Sequence, residues 1–137
     1  KDWNAAHEGV HLLVADALAE LGSSLDVYTV ETEFWHAMDC PNLMVEADAK
    51  TLADLVAATS LHVGEVARNP YHVLLPAWMQ DNVRRGGEKV GGMGAAAPKF
   101  DFATLYRLRK WEGGAFREVI EGGRFVSKTD SLATLFQ

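Results

Sequence analysis

The feature that most constrains this chain is a change of hydrophobic period at Gly22-Ser23-Ser24. Before it, apolar residues at positions 10, 13, 14, 17, 18 and 21 follow helical spacing and predict an amphipathic helix. After it, residues 25–35 are rich in β-branched and aromatic side chains and predict a strand, firmest over 27–32. Gly22 suits the C-cap between the two. Pro41-Asn42 then breaks the chain before a second short strand at 43–46. Asp48 is an N-cap for a helix from 49 to about 65, in which His62 falls near the end as a packing or capping residue. Helix, strand, strand, helix is the order of a layered α/β fold with an edge strand.

The first helix opens on Asp2-Trp3-Asn4-Ala5-Ala6-His7-Glu8-Gly9-Val10-His11. Asp2 and Asn4 are both N-cap residues by type. His7 and His11 stand four apart and share a helix face, so two imidazoles beside acids at a helix start form a candidate metal site. As a literal string, His7 to His11 is H-E-x-x-H. In that pattern both His bind zinc and Glu8 is the general base of a metalloprotease. The plain alternative is a polar helix start with two solvated histidines, in a metal-free structural or binding module. The far end of the first strand carries Glu31, Glu33, His36 and Asp39. Ligands gather outside the carboxyl ends of strands in open α/β sheets, so this end is expected to line the same cleft as His7.

Composition excludes several classes of function. With 137 residues the chain fits one unit with a single core. A net charge of −6 with no basic tract argues against nucleic acid or an anionic membrane as partner. No apolar run approaches the ~20 residues of a membrane-spanning helix. Cys40 is the single cysteine, which excludes an internal disulfide and fits a reducing, cytoplasmic setting. It lies in a turn-like stretch and reads as a free structural thiol.

Beyond residue 70, Pro76 suits the first turn of a helix running to about 85. Residues 86–98, dominated by Gly and Ala, read as a flexible lid or linker rather than a phosphate loop. Residues 102–111 predict a strand, 124–126 more extended chain, and Ser131 an N-cap for a short final helix.

The order of these features resembles the second half of the PIG-L/LmbE-like zinc deacetylases. The segment 2–7 is similar to the one ending in that family's H-P-D-H, whose last His opens a helix and is a zinc ligand. Glu31 and Trp35 resemble the acid and aromatic at the family's strand end, and Pro41-Asn42-Leu43 its entry to the next strand. His62 resembles the His of its following helix, and the stretch from Arg84 to Gly91 its R-x-x-G-x-x-x-G. The chain departs from the pattern at Asn4 and Ala6, which replace the first His and the Asp. Gly94-Ala95-Ala96 stand where Tyr-Ala-Glu is expected, and the family's H-P-D-D-E is absent.

What the resemblance implies is a Rossmann-like layered sheet with flanking helices. It also implies a zinc-dependent hydrolysis of N-acetyl amides, commonly on glucosamine-containing molecules. His7 would be one of three ligands to Zn2+, with Asp2, Asn4, Glu31 and Arg84 lining the site. In the metalloprotease reading, His11 and Glu8 take metal and base roles instead. The chain meets its site immediately, which reads as the later portion of a longer protein. Its N-terminal half would then carry the other two ligands and the general base. Without that half, the chain is expected to self-associate through its uncovered apolar surface.

Overall fold

The computed structural model describes residues 2–33 and 36–136. Helix α1 spans Ala5–Leu21. Asn4 caps it, its side-chain oxygen accepting from Ala6 N at 3.0 Å. Gly22 ends it at a φ of 57°, a conformation that costs glycine least. Of the helix's apolar stripe only Leu18 is buried, and Val10, Leu13, Val14 and Leu21 are exposed.

A 3-10 turn at Gly22–Ser24 leads into β1, Val27–Thr32, and then β2, Leu43–Ala47. Helix α2, Ala49–Ser60, is capped by Asp48, which accepts from Thr51 N at 2.8 Å. The single helix expected to reach residue 65 is broken at Leu61, and α3, Val63–Arg68, restarts beyond it. Ser60 contributes to the break, since its hydroxyl bonds back to the Val56 carbonyl at 2.7 Å. His62 therefore stands at a helix start, exposed, and offers its backbone carbonyl to Glu65 N at 2.9 Å.

Helix α4, Tyr71–Gly91, exceeds its expected bounds at both ends and holds Pro76 inside it. Its C-terminal extension runs through the glycines expected to form a loop. A Cβ on Gly86 would overlap Met44 Cε and lie 2.7 Å from Leu105 Cδ2. One on Gly91 would lie 2.9 Å from Phe125 Cζ. Close approach of helix to sheet thus outweighs glycine's poor helix propensity.

Strand β3, Phe102–Glu112, turns through Gly113 and Gly114 into β4, Ala115–Glu118. Strand β5, Arg124–Val126, and a 3-10 turn at Leu132–Leu135 complete the chain. The final turn replaces the short helix expected there, and Ser131 makes no side-chain cap bond.

The five strands form one mixed sheet in the order β1-β3-β2-β5, with β4 also paired to β3. β1, β2 and β4 all run antiparallel to β3, and only β2 and β5 are parallel. The α/β layering expected from the sequence is thus present: a mixed sheet with flanking helices. One face buries Met44, Ala103 and Leu105 against Val83 and Val90 of α4. The other buries Leu43, Leu108 and Val126 with Leu135. A third cluster, Ala47, Leu52 and Met79, joins α2 to α4. No helix among the described residues is long and apolar enough to cross a membrane.

Candidate functional site

Two anchors align α1 with β1. Trp111 Nε1 donates to the Gly22 carbonyl at 2.8 Å, and Trp111 is the register partner of Val27. Further along, His11, Val14 and Ala15 share a crevice with Thr29 and Glu31. The helix therefore runs antiparallel to the strand. One turn beyond His11, about 6 Å at 1.5 Å per residue, lies His7. Two residues beyond Glu31, about 7 Å, lies Glu33. His7 thus lies on the side of His11 toward which the carboxyl end of β1 points, and Glu33 follows β1 at that end.

At that end His7 Nδ1 meets Asp2 Oδ2 at 3.2 Å, while Asp2 Oδ1 accepts from Asn4 N at 2.8 Å. An ionised carboxylate only accepts, so Nδ1 is the donor in this pair. A carboxylate on one nitrogen is how metal-binding imidazoles are commonly oriented. Asp2 is well covered, its side chain 14% exposed against 33% for His7. Asn4 spends its side-chain oxygen on the helix cap. Glu8 lies beside His7 in the first turn.

His11 is not brought into this arrangement. The crevice it lines has a volume of about 30 Å³, the room of one water molecule, and is shared with Arg109 and Phe116. Glu31 is tied to Arg109, whose Nε donates to it at 2.7 Å and whose guanidinium lies 3.9 Å from the Phe116 ring centre. Arg107, opposite Glu31 in the register, is held above the usual arginine range, chiefly by its hydrogen bond to Glu118 and more weakly by Glu31.

Of the paired arginines on α4, Arg84 is exposed and bonds to Asp81 at 2.8 Å, while its neighbour Arg85 is buried. Arg85 Nη2 donates to Glu33 and, at 2.6 Å, to Asn82 Oδ1. Asn82 is fixed in turn by donating to the Ala103 carbonyl at 2.9 Å. Glu33 also accepts from Met38 N at 2.6 Å. Sequence reasoning overlooked Asn82 and Arg85. Their three-residue spacing on one helix face, with Trp78 and Asp81 one turn earlier, was the signal available.

The remaining expected residues are peripheral. His36 is exposed, its Nδ1 donating to the Ala37 carbonyl at 2.7 Å, and Asp39 offers its backbone carbonyl to Lys89 at 3.2 Å. Cys40 is a free, exposed thiol. Trp35 lies outside the described residues. Among those described, no three His, Cys, Asp or Glu side chains converge to hold a metal ion. No protein-family model, no curated protein and no solved structure matches this chain.

Proposed function

We propose that this chain carries one zinc ligand and part of the substrate cleft of an N-deacetylase resembling the PIG-L/LmbE-like enzymes. Its substrates would be N-acetylated, glucosamine-containing small molecules. The observation that carries this reading is the Asp2–His7 pair at the opening of α1, 3.2 Å apart. Ala6 occupies the family's Asp position, and the carboxylate beside the ligand His comes from Asp2, five residues upstream.

The donor set fits a single ligand. His7 would bind through Nε2, with Asp2 fixing the tautomer and ring plane. Zinc, when bound, polarises a carbonyl and activates water. Asn4 sets the angle at which the helix presents His7, by capping it. The two further ligands and the base would come from upstream sequence. The layered α/β sheet and the parallel β2–β5 pair are compatible with a Rossmann-like fold completed by that sequence or, failing it, by self-association.

The test uses the full-length protein, including any residues that precede Lys1. His7→Ala should abolish stoichiometric zinc by elemental analysis and acetate release from N-acetylglucosamine derivatives, while His11→Ala should leave most of both. Equal zinc loss in the two variants would favour the H-E-x-x-H metalloprotease, because only there do both imidazoles ligate one ion.

A further inference from the structure

We propose that Arg85 is a ligand-binding residue that donates hydrogen bonds to an uncharged oxygen, a sugar hydroxyl or amide carbonyl, at the carboxyl end of β1. Among the described residues only one of its three nitrogens has a partner: Nη2 serves Glu33 and Asn82. Nε and Nη1 are buried and have no hydrogen-bond acceptor among those residues. The nearest carboxylate oxygen to Nε, from Asp81, is 3.6 Å away, too far for a hydrogen bond. A buried donor left unmade costs on the order of 1–3 kcal/mol, which a ligand oxygen or a water accepting from it would recover.

The guanidinium is not loose. Glu33, with 4% of its side chain exposed, holds one edge, Asn82 is locked to Ala103, and the Trp78 ring centre lies 5.0 Å from Cζ. The Arg85 side chain as a whole keeps 10% of its surface open, while Nε and Nη1 themselves are covered.

Charge selects the acceptor. Glu33 already neutralises Arg85, and the Asp81 carboxylate stands close by. A phosphate or carboxylate would meet two acids around one guanidinium, whereas a hydroxyl or carbonyl oxygen takes the hydrogen bonds without that repulsion. Glu33 follows directly on the carboxyl end of β1, so that end of the sheet would present this donor pair. The inference rests on the deacetylase reading for the identity of the ligand as an N-acetylated sugar.

The test compares full-length wild type with Arg85→Lys, which keeps a cation for Glu33 but removes the planar donors. With N-acetylglucosamine as substrate, KM should rise about tenfold, the effect of about one lost hydrogen bond, with kcat and zinc content unchanged. The neutral pair Glu33→Gln/Arg85→Met, should Arg85→Lys fail to fold, should raise KM equally. An unchanged KM would overturn the inference and leave the donors to an internal water. So would an inorganic phosphate site lost with Arg85, which would mark an anion site. If the wild type releases no acetate, the deacetylase reading fails, and binding of N-acetylglucosamine is read directly by NMR titration. Tenfold weaker binding in Arg85→Lys then still supports the donor role, and equal or absent binding in both proteins overturns it.

Discussion

The side chain of Asn42 takes the place of a strand residue opposite Leu108. Its Nδ2 donates to the Leu108 carbonyl at 2.9 Å, and its Oδ1 accepts from the Leu108 N–H at 2.8 Å. Along this edge of β3, β2 begins at Leu43 opposite Tyr106, and β4 ends at Glu118 opposite Arg109. Leu108 falls between the two, and its side chain is wholly buried. The Asn amide closes a gap in the ladder that no backbone fills, and that accounts physically for an Asn between Pro41 and Leu43.

Asn42→Ala should therefore leave a backbone donor and acceptor unmade, at a cost of about 2–4 kcal/mol in urea unfolding. Asn42→Asp should be destabilised too, since a carboxylate cannot donate to Leu108 and would face Glu118, whose Oε2 now lies 3.2 Å from Nδ2. A stable Asn42→Ala protein would show that water serves Leu108 equally well.

Gly86→Ala should destabilise by about 1–2 kcal/mol, because overpacking Met44 and Leu105 exceeds the gain from removing a helical glycine. Gly64→Ala is the control. Nothing lies within 4 Å of a Cβ there, so the same change in α3 should be neutral or stabilise by about 0.5–1 kcal/mol. Thermal melts of the two variants should move in opposite directions.

These two sites mark the limit of what local pattern reveals. Helix α1 and strands β1, β2 and β3 were legible because each has its own signal: Asn4 and Gly22 at the helix ends, β-branched and aromatic runs in the strands. The extension of α4 through Gly86 and Gly91 was not, because glycine's local preference opposes helix. The partners that overrule it, Met44, Leu105 and Phe125, are distant in sequence. The break at Leu61 coincides with a back-bond from the Ser60 hydroxyl to the Val56 carbonyl, which weakens helix continuation. At the site, the His7 helix start and the acids of β1 were legible as residue types. Which acid pairs with which arginine was not: neighbours on a helix point apart, and packing chose Arg85 over Arg84 to face inward.

Asp48 should make the start of α2 acid-sensitive. The Thr51 backbone N–H bonded to its carboxylate holds it below the ordinary value of 3.8, with Lys128 and Lys50 adding smaller pulls. A carboxyl lowered in the folded state contributes stability above its unfolded pKa and loses it as pH falls through the folded one. Wild type should therefore lose melting temperature relative to Asp48→Asn below about pH 4, the ordinary carboxylate pKa. Asn caps at any pH. Parallel pH profiles for the two proteins would mean the cap adds no acid sensitivity.

Asp2 and Glu8 separate the two zinc readings most sharply. Asp2→Asn keeps an oxygen for Asn4 N but replaces the carboxylate facing His7 Nδ1 with an amide. If His7 is a ligand oriented by Asp2, zinc affinity in full-length protein should fall about 10–100-fold, the usual cost of losing such an outer partner. Glu8→Gln should leave zinc and acetate release intact, because a first-turn acid then contributes only about 0.3–1 kcal/mol through the helix dipole. In the metalloprotease the order reverses: Glu8 is the base, and its loss costs about 10²–10⁴-fold in rate. Competition with a chelator measures the first effect; acetate release in the deacetylase case, and peptide cleavage in the metalloprotease case, measures the second. A full-length Glu8→Gln protein that binds zinc but is inactive, beside an unimpaired Asp2→Asn, would overturn the deacetylase assignment.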